Sequence, residues 1–313
     1  ARRAERAREA ARSFLAGSAS TSMPPSVMLS SSAPRLRSRL RPRSTFSSRT
    51  RERLRARDTA RRGSMPTCSS ACATPAEAAE GVDVLLVCVS DNAAVEAVLF
   101  GANGASGQLA AGSVVVDCST IAPATAIALA QRLARQGVDY VDAPVTGGTE
   151  GAKAGSLTVL VGGEPAALDR ARPVLEIIGS SIHHFGPVGR GQQVKAVNQV
   201  LVAGSYAAVA EAMALGQRLE LPMEAVVNAL QGGAAGSWAL SHRAHSMLMA
   251  EYPLGFRMSL HHKDLGIALD AADDVNLDLP VTQLVANLEN NLMERGHGDE
   301  DVSALHRHYG TKS

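Results

Sequence analysis

Aromatic residues make up only 3% of this 313-residue chain, with a single tryptophan. A core must therefore be built from Ala, Val, Leu and Ile, which the 45% hydrophobic content supplies. Cysteine is scarce as well. Cys68, Cys72, Cys88 and Cys118 include no CxxC pair, and Cys88 and Cys118 fall in apolar, strand-like runs. They read as buried reduced thiols of a cytosolic protein, not as disulfides or metal ligands. No apolar run approaches the roughly 20 residues of a membrane span, so no membrane association is expected. GxSxG, HExxH and Walker sequences are missing, which removes the hydrolase, zincin and P-loop signatures. Residues 1–73 contain no lysine and only two glycines, Gly17 and Gly63, so no GxGxxG turn can be placed there.

What is present falls into two compositions. Residues 1–73 hold seventeen arginines against four acids (Glu5, Glu9, Glu52, Asp58), a surplus of thirteen positive charges. The whole chain carries +1, so residues 74–313 carry a net −12. The front segment is rich in Arg, Ser, Ala and Pro and shows neither a period of 2 nor a sustained period of 3.6. Such text cannot easily bury enough apolar surface to offset its ordering entropy. Three readings stand: an organellar transit peptide, a basic nucleic-acid-binding tail, or a shifted-frame translation of a GC-rich gene.

From residue 74 the text is orderly. TPAEAAEG predicts a short helix with Thr74 as its cap and Pro75 at its first position. VDVLLVCVS (82–90), SVVVDCST (113–120), VDYVDAPV (138–145) and SLTVLVGG (156–163) read as strands, with SIHHFG as a last short one. Helical text lies between them. Apolar strands alternating with helices predict an α/β, Rossmann-like domain whose parallel sheet is covered on both faces. After about residue 187 the strands stop, and Ala- and Leu-rich helices follow at roughly 191–220, 223–231, 263–275 and 281–295. The expected organisation is an atypical Arg/Ser-rich segment, 1–73, disordered or frame-shifted; the remainder of the α/β domain, 74–186; and an all-helical domain, 187–313. A ligand cleft is expected between the last two.

Chemistry concentrates in three places. The second strand ends in Asp117-Cys118-Ser119-Thr120, where hydroxyls can meet a ligand carboxylate or simply cap the next helix. The third runs into PVTGGTEGAKAGSL, whose Gly147 and Gly148 can present backbone N–H groups to an anion or form a plain connection. The long helix that follows opens with GRGQQVKAVNQ, and Lys195, Asn198 and Gln199 at i, i+3 and i+4 share one face. A lysine held in a partly dry site exchanges protons near neutrality; the alternative is a lysine that snorkels to water from the first turn. Lys263, in FRMSLHHKDL, reads locally as one half of an exposed Lys-Asp pair, and His261 and His262 beside it lack the partners of a metal site.

Four segments, DCSTIAPATA, DAPVTGGTEGAKAGSLTVLVGG, GPVGRGQQVKAVNQ and FRMSLHHKDLGIAL, stand in the order and spacing of the β-hydroxyacid dehydrogenases, and the chain resembles that family over about residues 74–310. The family includes 3-hydroxyisobutyrate dehydrogenase, tartronate semialdehyde reductase (2-hydroxy-3-oxopropionate reductase) and, more distantly, 6-phosphogluconate dehydrogenase. FRMSLHHKDL leans toward the second of these. The resemblance implies an NAD- or NADP-dependent oxidoreductase of small 3-hydroxy acids or their semialdehydes, with Lys195 as acid/base and Asn198 orienting the hydroxyl. It implies Ser119, Gly147 and Gly148 on the substrate carboxylate, Val89, Ser90 and Thr120 at the nicotinamide, and Lys263 closing over the cofactor. It also implies a homodimer or homotetramer; from the cysteines, the lack of metal-ligand spacing and the short apolar runs, a cytoplasmic protein without metal, membrane or nucleic-acid partner is expected, or an organellar one if residues 1–73 include a transit peptide.

Two departures accompany the resemblance. Thr146 stands where the family usually has Ser, and residues 1–73 occupy the place of the family's first βαβα unit without its glycine fingerprint. A transit peptide would precede that unit, whereas a frame error replaces it at equal length, so the frame-shift reading is preferred. A catalytically defective family member, or an oligomeric interaction protein with a basic nucleic-acid-binding tail, is the alternative function.

Overall fold

The structure, a computed structural model, describes the backbone of residues 26–30 and all of residues 72–310. β2 (Val84–Cys88), β3 (Val114–Asp117) and β4 (Asp139–Asp142) form a parallel sheet in that order. β1 (Ser26–Ser30) lies antiparallel beside β2, pairing Ser26 with Cys88 and Ser30 with Val84. It is the one piece of residues 1–73 placed on the sheet before Cys72. The other readings of that segment lie outside the described residues.

β2 and β3 are apolar except for the terminal Asp117 because the sheet is buried on both faces. Alternation divides their side chains between two cores. Val84, Leu86, Val114, Val116 and Val141 join the core that contains α5 (Pro165–Ile178). Leu85, Val87, Val115 and Tyr140 join the other, with α2 (Asn92–Phe100) and α3 (Pro123–Ala134). Local chemistry sets the helix starts. Thr74 accepts the Glu77 N–H ahead of α1 (Pro75–Ala79), and Asp91 accepts the Ala94 N–H ahead of α2.

The expected single sheet is divided after β4. Asp142 makes a bridge to Gly162, and β5 (Val145–Thr146) turns through α4 (Gly148–Ala154) to pair antiparallel with β6 (Leu157–Val161). β7 (Gly179–His184) then adds parallel to β6. The Gly-rich connection is thus a helical turn, entered at Gly147 and Gly148 with φ of 127° and 64° and left at Gly155 with φ of 67°. Those conformations require glycine.

The helical half consists of α6 (Arg190–Arg218), α7 (Met223–Leu230), α8 (Trp238–Leu248), α9 (Met258–Asp273), α10 (Pro280–Glu294) and a 3₁₀ segment at Val302–Tyr309. α6 is its axis: Ala203, Tyr206, Ala210 and Met213 pack with Leu240, Met247, Leu265 and Val285 from the surrounding helices. By length and composition alone α6 could cross a membrane, although Lys195 and Glu211 interrupt its apolar text. Its buried stripe is the core of the helical domain.

Candidate active site

The entry of α6 is fixed by a buried carboxylate. Asp142, at the end of β4, accepts the Gly189 N–H at 2.8 Å and the Gln192 N–H at 2.9 Å, satisfying two orphan donors of the helix start. Gln192 is itself a clamp: its amide accepts from the Ile121 N–H at 3.2 Å and donates to the Ser119 carbonyl at 2.8 Å. The sequence of α6 therefore ties the strand-end loop after β3 to the turn that carries Lys195.

Burial raises the Asp142 carboxyl to about 6, with the Gly189 and Gln192 N–H groups opposing the rise. The folded chain thus holds this proton more tightly than the unfolded chain does. Asp142 stabilises most below its ordinary value of 3.8, and that contribution is lost as pH rises through about 6. The loss is roughly 2–3 kcal/mol. Asp142→Asn, which is neutral at every pH, is expected to gain about 2–3 kcal/mol of stability relative to wild type between pH 4 and pH 7. Thermal melts of both proteins across that range check this; a constant difference would refute it.

The nine residues to which the resemblance gives a site role all line one cavity of about 460 Å³ at the carboxyl ends of β2 and β3. Val89, Ser90, Ser119 and Thr120 come from the strand ends, Gly147 and Gly148 from the turn into α4, Lys195 and Asn198 from α6, and Lys263 from α9. Lys195 is buried, 7% exposed. Burial lowers its pKa, Asp264 opposes that shift, and Lys263 adds to it. The chain thus holds a lysine that releases its proton more easily than a free one.

A hydrogen-bonded chain joins the two domains across the cavity. Asn198 donates to Gln199 at 2.7 Å, and Gln199 donates to Asp264 at 2.7 Å. Lys263 pairs with Asp264 at 2.8 Å and donates to the Thr120 carbonyl. Lys263 is therefore a bridge from α9 to the strand end after β3, and its local Lys-Asp pair is part of that bridge.

Ser119 has a protein partner that its sequence position does not show. It lines the cavity but is only 2% exposed, and its hydroxyl accepts the Val89 N–H at 2.9 Å while its N–H donates to Asp117. The hydroxyl holds the β2 and β3 ends together, so it has little freedom to turn toward a substrate. Thr146, the hydroxyl that stands at the family's Ser position, lies beside Gly147 on the cavity wall. The sequence reading passed over Gln192, Glu150 and Arg243. His261 is turned away into the helical core, where its Nδ1 meets Glu289 at 2.6 Å.

A parallel sheet with a cleft at its carboxyl ends, closed by a helical domain that delivers a buried lysine, defines a dinucleotide-dependent enzyme of two-domain type. The comparisons agree. Residues 44–186 match the family profile described as the NAD-binding domain of 6-phosphogluconate dehydrogenase. Residues 189–309 match that described as NAD-binding of NADP-dependent 3-hydroxyisobutyrate dehydrogenase. The chain is 36% identical to 2-(hydroxymethyl)glutarate dehydrogenase of Eubacterium barkeri, over 76% of this chain and 79% of that one. It is 37% identical to 2-hydroxy-3-oxopropionate reductase of Escherichia coli K12, over 74% and 80%. The crystal structure of a 3-hydroxyisobutyrate dehydrogenase from Salmonella typhimurium superposes with a TM-score of 0.71 at 33% identity, over 75% of this chain and 82% of that one. The chain belongs to the β-hydroxyacid dehydrogenase family of NAD(P)-dependent oxidoreductases.

The cavity fits the nicotinamide end of such a cofactor. Its wall at Cys88, Val89 and Leu157 is apolar, while Ser90 and Thr120 place polar groups at the strand ends. Those are the positions at which an open parallel sheet binds ligands.

Proposed function

We propose that this chain is an NAD(P)-dependent dehydrogenase of small 3-hydroxy acids, of the 3-hydroxyisobutyrate or 2-hydroxy-3-oxopropionate type, with Lys195 as its acid/base. The observation that carries this reading is the buried Lys195 with a lowered pKa on the wall of a cavity between the two domains. In the oxidation direction neutral Lys195 accepts the hydroxyl proton at Nζ, and in reduction its ammonium returns it. Asn198, anchored through Gln199 and Asp264, orients the hydroxyl. Thr146 and the N–H groups of Gly147 and Gly148 take the carboxylate, in place of the engaged Ser119 hydroxyl. Val89, Ser90 and Thr120 flank the nicotinamide, and Lys263 covers it. When bound, the nicotinamide accepts the hydride from the hydroxyl-bearing carbon or returns it.

The exposed Val197, Leu201 and Leu215 on α6 form an apolar surface that suits a homodimer or homotetramer built on the helical domain.

The test is a panel of acids with NAD+ and with NADP+. A 3-hydroxy monocarboxylate is expected to reduce at least one of them. Lactate, whose hydroxyl sits one carbon nearer the carboxylate, is expected to be oxidised at least ~100-fold less efficiently, because the carboxylate turn and Lys195 fix that spacing. Equal efficiency on both would overturn the assignment.

A further inference from the structure

We propose that Arg243 and Glu150 form a second recognition point in the cavity, selecting 3-hydroxy acids whose side branch carries a neutral hydroxyl. The proposal rests on the dehydrogenase reading and names the substrate class within it. Arg243 comes from α8 and Glu150 from α4, and both line the cavity. Arg243 Nη2 donates to Glu150 Oε1 at 2.9 Å, linking the helical domain to the α/β domain. The acid/base role and carboxylate binding proposed above use neither side chain.

The guanidinium is elaborately held. Arg243 is 8% exposed, and Nη1 donates to the His242 carbonyl at 3.2 Å. Nε lies 3.6 Å from Asp301, and the group sits 4.7 Å over the Trp238 ring. The main chain opposite is bare: a Cβ on Gly255 would come within 2.4 Å of Nη2. Burial disfavours the charged form of Arg243, but Glu150, Tyr206 and Asp301 outweigh it, and the side chain stays a cation. Keeping a charge there for stability alone is poorly motivated, since buried ion pairs are often replaceable by apolar residues without loss.

Position and charge specify the ligand. Glu150 stands two residues beyond the Gly147–Gly148 turn, so the pair borders the carboxylate subsite. Along α6, Val202 and Tyr206 stand on the cavity wall about two and three helical turns beyond Lys195, and Tyr206 meets Arg243. A branch on the carbon between carboxylate and carbinol is thereby directed at the pair. Asp301 is a fixed anion: it accepts the Gly255, Phe256 and Ser303 N–H groups and the Ser303 hydroxyl. One guanidinium thus faces two carboxylates. A second substrate carboxylate meets a net negative site, and a methyl branch leaves donor and acceptor without use. A hydroxyl accepts from the guanidinium and donates to Glu150.

The experiment compares three acids that differ only in the branch: 3-hydroxyisobutyrate (methyl), its hydroxymethyl analogue and its carboxymethyl analogue. Cofactor reduction gives kcat/KM, and the emission of Trp238, the only tryptophan, follows binding without turnover. Wild type is expected to favour the hydroxymethyl acid about 10- to 100-fold over the other two. Arg243→Met is expected to abolish that preference, its kcat/KM for the hydroxymethyl acid falling to the level of the other two acids. Glu150→Gln, at a half-exposed position that tolerates change, is expected to reduce the preference and to improve the carboxymethyl acid. Equal losses on all three acids in Arg243→Met, or a wild-type preference for the methyl or carboxymethyl branch, would overturn the proposal. Hydroxymethyl-selective binding that depends on Arg243, without oxidation of any acid, would instead sink the dehydrogenase reading and leave this recognition point standing. Absence of both turnover and selective binding would remove both.

Discussion

Replacing Lys195 with methionine is expected to lower kcat for hydroxy-acid oxidation by about 10²- to 10⁴-fold, the usual worth of a positioned acid/base. NADH and NADPH should still bind within about 3-fold, because methionine keeps the packing against the cavity wall. The melting temperature should not fall: the substitution removes a buried cation whose charged form burial disfavours. The wild-type pH profile carries the same signature. Oxidation needs the neutral lysine, so its rate rises with pH through a pKa below the ordinary lysine value, and reduction falls through the same point. Lys195→Met should lose that limb. A variant that keeps the full rate would show that Lys195 is a core lysine only.

Gly191→Ala is expected to be the most damaging single methyl addition among the described glycines. A Cβ there would lie 2.3 Å from the Leu160 carbonyl oxygen and 2.8 Å from an Asp142 carboxylate oxygen, neither of which has room to retreat. α6 must then shift off β6 and β4. The cost is about 3 kcal/mol or more, a fall in Tm of roughly 6–12 °C. Because Lys195 sits one turn further along α6, the shift also misplaces the reacting group, and about 100-fold in kcat/KM should go with it. Gly204→Ala on the same helix is the control: nothing lies within 4 Å of its added methyl, so it should be neutral or slightly stabilising. Thermal melts and rates on both variants decide the matter. If both behave alike, the close approach of α6 to the sheet is not what positions Lys195.

The strands and the lysine were legible because their signals are local. β2 and β3 are unbroken apolar runs, and Lys195 stands near the start of a long apolar helix. α4 and α8 were not. α4 is a helix of GTEGAKA between glycines, whose composition reads as a connection. α8 carries His242, Arg243 and His245 within one turn of each other, which blurs its apolar stripe; only the Ser237 cap, accepting the Leu240 N–H, marks its start. Ser119 looked like a ligand-binding hydroxyl because strand-end hydroxyls often are, and only the fold brings the Val89 N–H onto it. Glu150 and Arg243 are 93 residues apart and meet because two domains close on one another. No local pattern could have paired them. The glycine fingerprint remains the opposite case. Residues 1–73 lack it in sequence, while the NAD-binding family match reaches forward to residue 44.

Deuterium transfer tests the central claim most directly. A 3-hydroxy acid labelled on its hydroxyl-bearing carbon is incubated with the wild-type chain and NAD+ or NADP+, and the reduced cofactor is analysed for label. The account predicts one deuterium in the recovered nicotinamide and its near-absence with Lys195→Met. Saturable binding of the cofactor with no label transferred from any 3-hydroxy acid would contradict it.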